Sequence, residues 1–208
     1  DSSEIVKIES VAPGYINFFI STKNKYDQIN MILNSKDDLI QNVENTKNIH
    51  VEYVSANPTG PLHIGHGRGM ILGEVTAKFL SYQGHKIIRE YYVNDAGRQI
   101  DLLLVSVLLC HLGKNKHIFV DEKSNNDGHL VTYKGRYVND VATSLSHDLE
   151  KIDKDSVLSL LNEPIDSLIS FLKKHKSYFE IRNGLVNVII DEYIKEDLSA
   201  VGINFDSW

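Results

Sequence analysis

The sequence predicts an α/β protein, a partial parallel sheet with a helical excursion, preceded by the end of a small α+β domain. Three observations carry this reading. From Ile49 to Leu112 the apolar pattern runs strand, helix, strand, helix, and strands alternating with helices of this length argue for a parallel sheet with crossover connections. Ahead of residue 48, two alternating stretches flank the turn dipeptide Pro13-Gly14. Between the first strand of the alternating part and its helix lies His50 to Met70, where Asn57-Pro58-Thr59-Gly60-Pro61 gives up packing for backbone shape.

Taken in order, Glu4 to Ser10 and Tyr15 to Ser21 read as a hairpin, the second arm placing Ile16, Phe18 and Ile20 on one face. Tyr26 to Val43 carries Ile29, Ile32, Leu33, Leu39, Ile40 and Val43 near helical spacing, and polar Glu44 to Asn48 follows. Residues 1–47 are therefore the expected first domain with its linking helix, and 48–208 the second. Ile49 to Val54 is a strand, and a helix runs from about His66 to Gln83 with Ile71, Val75, Phe79 and Tyr82 as its apolar stripe, ending at Gly84.

Lys86 to Val93 is the next strand, Asn94-Asp95 can cap, and Gln99 to Leu112 is strongly apolar at helix spacing. Residues 113–135 lose periodicity and read as an insertion. Tyr137 to Ile152 returns to helix with Val138, Val141, Leu145 and Leu149 in one stripe, and Asp155 to Leu161 starts another. Asn162-Glu163-Pro164 reads as a fresh N-cap with proline in the first turn, and Gly184 to Val201 as a further helix closed by Gly202.

Composition bounds the function. With 208 residues and 42% apolar content the chain can bury a core. A formal net charge of -6 argues against coating nucleic acid by bulk positive charge, while allowing a local basic groove. The single cysteine, Cys110, follows the apolar run Leu102 to Leu109 and is expected to be a buried thiol in a reducing compartment; no intrachain disulfide or thiolate zinc site is possible. There is no basic, apolar signal segment and no apolar run of membrane-spanning length, so a cytoplasmic protein with no membrane partner is expected. The chain opens at Asp1-Ser2-Ser3 and stops at Phe205-Asp206-Ser207-Trp208 just as a strand-like run begins, which suggests an excised fragment.

The chemistry concentrates at His63-Ile64-Gly65-His66. A helix start offers unpaired N–H groups and a positive dipole end, glycines at 65, 67 and 69 allow close backbone approach, and two histidines can meet phosphate charge as it develops. That favours nucleotidyl transfer from ATP. An isolated His-x-x-His is more often a pair of surface histidines. A zinc reading lacks a third ligand, Glu74 being a helix turn or more away. The glycine pattern fits neither the dinucleotide fingerprint nor a P-loop.

These residues resemble the HIGH motif of the class I aminoacyl-tRNA synthetases, and the wider match resembles the arginyl-tRNA synthetases of the bacterial kind. Supporting pieces are Gly67-Arg68-Gly69, Gly84-His85, Arg89 to Ile100, Tyr133-Lys134-Gly135-Arg136-Tyr137-Val138 and the closing Gly202 to Trp208. The resemblance implies a Rossmann-type catalytic domain that activates L-arginine with ATP, with Mg2+, and passes it to tRNA(Arg). His63 and His66 match the family histidines that stabilise the ATP phosphates, Gly65 matches the glycine under the adenine moiety, and Glu52, Ser55 and Asn57 match positions that bind the amino acid. A carboxylate is the partner a guanidinium or α-ammonium needs; without the motif, Glu52 would read equally as a strand-end surface group. Gly97 and Gln99 are candidate site-wall residues.

The hairpin resembles the end of the family's tRNA-contacting N-terminal additional domain, and the insertion its connective segment. Thr59-Gly60-Pro61-Leu62 lacks the lysine that some members carry before the first histidine, so reliance on a KMSKS-type lysine further on is implied. That loop, the rest of the Rossmann fold and the anticodon-binding domain lie outside the chain, which is expected to be inactive alone. A monomer is expected. The competing expectations are another class I ligase or small nucleotidyltransferase with a HIGH-like loop, and a non-catalytic nucleotide-binding module.

Overall fold

In the computed structural model, residues 4–35, 45–117 and 133–208 are described, and the chain divides into two units, Asp1–Asn48 with Lys78–Lys86 and Ile49–Ala77 with Ile87–Trp208. Most of the insertion, and the expected helical residues 36–43, lie outside the described residues.

In the first unit, β1 (Ile5–Val11) and β2 (Tyr15–Ile20) form the expected antiparallel hairpin, pairing Val11 with Tyr15 and Ile5 with Ile20 across an irregularity between Ile5 and Lys7. Ile16, Phe18 and Ile20 are all exposed. Helix α1 (Thr22–Ser35) starts four residues earlier than the apolar pattern suggests, because the Ser21 hydroxyl accepts the Asn24 N–H at 3.1 Å and caps it.

Strands β3 (Asn48–Glu52) and β4 (Lys86–Glu90) run parallel, with Lys86 N–H donating to Lys47 O and Tyr53 N–H to Glu90 O; all but their first residues, Asn48 and Lys86, belong to the second unit. The tail joins the same sheet beside β4, with a parallel bridge between Glu90 and Ser207 and Tyr91 N–H donating to Ser207 O at 3.0 Å. Phe205 lies 4.5 Å from the Tyr53 ring, and Trp208 stacks on buried Tyr91 at 4.7 Å. The closing aromatic run therefore pairs and packs as a strand would.

Helix α2 (Ile64–Tyr82) connects β3 to β4, but its inward face is not the expected one. Ile71, Val75, Phe79 and Tyr82 are exposed, Phe79 by 66%, while Met70, Glu74 and Ala77 are buried. The physical reason lies in how close the helix comes to Tyr53. A Cβ on Gly73 would sit 2.2 Å from the Tyr53 ring, so this row must be small. Beside it, Glu74 Oε2 accepts from the Tyr53 hydroxyl at 2.6 Å and from Arg89 Nε at 3.2 Å. Burial and Glu74 push the Tyr53 phenol well above its ordinary pKa, which keeps it a donor.

Helix α3 (Arg98–His111) is the centre of the core, with Leu103, Val105 and Val107 completely buried and its buried polar side chains Asp101 and Ser106 hydrogen-bonded. Its N-cap is Gly97 with no side-chain cap bond, so Asn94-Asp95 does not cap it. Around it pack α4 (Arg136–Ser144), α5 (Ser146–Leu149), α7 (Ile165–Lys174) and α8 (Tyr178–Ile189). The expected continuous helix to Ile152 breaks at Leu145, yet Val138, Val141, Leu145 and Leu149 are all buried.

Helix α6 (Lys154–Ser159) is capped by Asp153, which accepts the Ser156 N–H at 3.0 Å. Pro164, not Asn162, is the N-cap of α7. Gly184 lies inside α8 rather than at its start, because the helix begins in the polar Ser177-Tyr178 stretch; Tyr178 is held by Asp101 of α3. A π-helical turn, Ile190–Ile194, joins α8 to α9 (Lys195–Ala200), and Gly202 with φ 74 closes the run. Cys110 is half-buried rather than enclosed. Its sulfur lies 2.7 Å from Asn139 Oδ1 at the wall of a cavity between α3 and α4, and burial raises the thiol pKa.

Candidate active site

The strand β3 stops at Glu52 rather than Val54 because the next residues leave extended geometry. Val54 and Ser55 have φ of 66 and 37, a left-handed pair without glycine, and for β-branched Val54 that is a strained backbone of the kind functional loops retain. Side chains from distant elements then hold the loop that follows. Tyr92 N–H donates to Ser55 Oγ at 3.0 Å, the Tyr91 hydroxyl to Ala56 O at 3.0 Å, and the Tyr137 hydroxyl to Thr59 O at 2.9 Å. Asn57 donates through Nδ2 to Gln99 Oε1 at 2.7 Å and accepts through Oδ1 from Asn94 Nδ2 at 3.0 Å, so its amide is fixed in orientation. Asp197 accepts the Leu62 N–H at 2.9 Å.

His63 closes the loop at the N-terminus of α2, where the two histidines act as a reciprocal cap. His63 Nδ1 accepts the Gly65 N–H at 3.1 Å, and His66 Nδ1 accepts the His63 N–H at 3.2 Å. The rings stack at 3.8 Å with 25° between their planes. Gly65 is required by this fold of the ring, since a Cβ there would lie 2.9 Å from His63 Nδ1.

Two consequences follow for the chemistry. With both Nδ1 atoms accepting, the neutral tautomer carries its proton on Nε2 in each ring, which leaves two outward donors. Burial, and then neighbouring His63, hold the His66 imidazole below its ordinary pKa of 6.5, so it is neutral at physiological pH. The Gly65 and His66 N–H groups are already engaged, by His63 Nδ1 and His63 O, so the helix end offers an anion fewer backbone donors than its sequence suggests.

The structure brings Asn57, His63 and His66 together with Gln99, Tyr133 and Tyr137 around a cavity of about 400 Å³. On the other side of His66, Gly65 lines a second hollow of about 410 Å³ with Val54, Arg68, Gly69 and Leu72. Glu52 is exposed at the end of β3, and neither it nor Ser55 lines either hollow. Gly97 is the cap of α3, while Gln99 does form part of the wall. Among the described residues, no group of three or more His, Cys, Asp or Glu is placed to hold a metal ion.

Sequence reasoning gave Asn94 a capping role, not the contact with Asn57 that it makes, and assigned no side-chain role to Tyr137 or Asp197. Tyr133 to Val138 stood out as a conspicuous Tyr/Gly string, but nothing in it shows that Tyr137 reaches back 78 residues to Thr59. Burial and neighbouring Tyr133 push the Tyr137 phenol up to about 12, so it remains a protonated donor.

A parallel sheet with a histidine-capped, glycine-rich helix start defines the class, an α/β fold of the Rossmann-like, HIGH-loop type. The comparisons with known proteins agree and are narrower. The chain belongs to the family described as tRNA synthetases class I (R), catalytic domain, whose model matches residues 28–193. It is 36% identical to an arginine–tRNA ligase of Hydrogenovibrio crunogenus over 231 aligned residues, covering 100% of this chain and 38% of the relative. A Helicobacter pylori arginine–tRNA ligase is 36% identical, with 94% of this chain and 32% of that protein covered.

Among solved structures, a putative arginyl-tRNA synthetase from Campylobacter jejuni superposes with a TM-score of 0.59 at 29% identity, covering 90% of this chain and 36% of that one. The chain thus spans about a third of the length of these relatives.

Proposed function

We propose that the whole protein is an arginine–tRNA ligase, and that this chain supplies the HIGH-loop wall of its active site. The observation that carries the reading is the stacked, mutually capped pair His63 and His66, whose Nε2 donors are left free beside a cavity. In the first step an arginine carboxylate oxygen bonds to the α-phosphorus of ATP and the bond to the leaving pyrophosphate breaks. His63 and His66 donate to phosphate oxygens as charge shifts toward the leaving group, which is where preorganised donors lower a barrier most. In the second step a hydroxyl of the tRNA 3′-terminal ribose attacks the arginyl carbonyl, and AMP leaves.

Gly65 is assigned to the adenine moiety of ATP, and it borders the second hollow. Asn57, fixed by Asn94 and Gln99, is assigned with Ser55 and Glu52 to the amino acid. Because Ser55 and Glu52 lie outside the cavity, their share of that role requires the substrate to extend along the end of β3. Magnesium enters as the counter-ion of the ATP substrate. Residues 1–47 are assigned to the end of the tRNA-contacting additional domain, and the protein to the cytoplasm as a monomer.

The test is ATP–pyrophosphate exchange by the whole protein with each amino acid in turn, with and without tRNA. Exchange with arginine alone, dependent on tRNA, is expected. Exchange with a different amino acid overturns the assignment.

A further inference from the structure

The π-helical turn Ile190–Ile194 interrupts an otherwise α-helical run from Tyr178 to Ala200, its register marked by the Lys195 N–H donating to Ile190 O, five residues back. One inserted residue turns everything after it by about 100° about the helix axis, and such turns recur at functional sites. Here the turn meets the loop at two points. Asp197, past the turn, accepts the N–H of Leu62, the residue immediately before His63. Tyr193, within the turn, packs its ring against Tyr137 at 6.3 Å and 75°, and Tyr137 in turn donates to Thr59 O. An adjacent face, about 100° round the axis, packs into the core through Ile194 and Leu198, which seats the helix independently of the loop.

We propose that the π-turn is an anchor for the HIGH loop, with Asp197 the positioning residue that sets the backbone of His63 and Tyr137 a second support acting at Thr59. The assignment rests on the reading of His63 as an ATP-phosphate donor. Leu62 is where the anchor has most effect, because among the described residues the backbone of His63 bonds within the tetrapeptide: its N–H goes to His66 Nδ1 and its carbonyl accepts the His66 N–H. Without Asp197, the cap could move as a unit while remaining intact.

The experiment uses the whole protein. In the unaltered chain the Leu62 amide is expected to be protected from hydrogen exchange; exchange at the rate of an open loop overturns the anchor without any mutation. Asp197→Ala is expected to lower kcat for ATP–pyrophosphate exchange by about tenfold to a hundredfold, with KM for arginine moving less than about twofold, as a displaced donor does. Asp197→Asn keeps an oxygen acceptor and is expected to restore most of the rate. Deletion of exposed Glu192, which removes the extra residue, is expected to reproduce the Asp197→Ala effect.

Unchanged kcat in Asp197→Ala overturns the proposal. Should the whole protein show no exchange with any amino acid, the functional reading fails. The His63 and His66 ring resonances in the same variants still decide the anchor: shifted in Asp197→Ala they support it, unmoved they overturn it. Should Asp197→Ala not fold, Leu62 exchange in the unaltered chain and the Asp197→Asn rate decide.

Discussion

Helices α2 and α3 each follow a strand of the same parallel sheet, yet they differ in how much apolar surface they bury. In α3 almost every residue from Ile100 to Leu109 is buried, most of them apolar, with Asp101 and Ser106 as buried polar side chains that are hydrogen-bonded. In α2 the inward row is Met70, Gly73, Glu74 and Ala77, while Ile71 and Leu72 are exposed by 64% and 68%. Both helices bury a polar contact, Asp101 with Tyr178 in α3 and Glu74 with Tyr53 in α2; beyond that, α3 is held by an apolar surround and α2 by the close fit of small residues. The difference teaches that the helix carrying the histidine pair is positioned against Tyr53 rather than immersed, which leaves its N-terminal end open to a ligand.

The comparison predicts a graded series of effects. Leu104→Ala in α3 should be the most damaging, costing about 4 kcal/mol in urea unfolding, the scale of a cavity in a packed core. Gly73→Ala should cost about 3 kcal/mol although it adds only a methyl, because that methyl would meet the Tyr53 ring. Pairing it with Tyr53→Ala should recover part of the loss, whereas simple additivity would show that the helix is not seated on Tyr53. Glu74→Gln should cost about 2 kcal/mol by removing the charge that Arg89 and Tyr53 share.

Ile71→Ser should change the stability of this chain by less than about 0.5 kcal/mol; a loss like that of Leu104→Ala would abolish the contrast between the helices. The smallest effect is electrostatic. His66, held below 6.5 by burial and by His63, should titrate lower than a free imidazole in an NMR pH series, and His63→Ala should move its midpoint back up. The sign follows from linkage: as pH falls through 6.5 the unfolded chain takes up the proton first, so His66 lowers stability as pH drops toward its own depressed midpoint.

The same contrast explains what was legible in the sequence. A strongly apolar helix such as α3 announces itself, as do a glycine after the last periodic residue and a Pro/Gly loop before a histidine pair. The inward face of α2 was hidden because periodicity assigns the core to the largest apolar residues. The reasons for Gly73 and Glu74 lie in Tyr53, 20 and 21 positions earlier, and in Arg89, 15 later. Of the residues the motif singles out, Asn57, His63, Gly65 and His66 line the two hollows, while Glu52 and Ser55 do not. The cap made by the two Nδ1 atoms could not be read from the motif, since it depends on ring rotamers. The Asp197–Leu62 bond spans 135 residues and leaves no local signature.

Trp208 stacks on Tyr91, whose hydroxyl holds Ala56 of the loop, and the Lys195 ammonium lies 4.9 Å from the indole centroid. It is the chain's single tryptophan. The molecule therefore carries an intrinsic fluorophore wired to the loop through one phenol and beside a cation from the anchoring helix. Its emission offers an optical readout of loop position that requires neither labelling nor turnover.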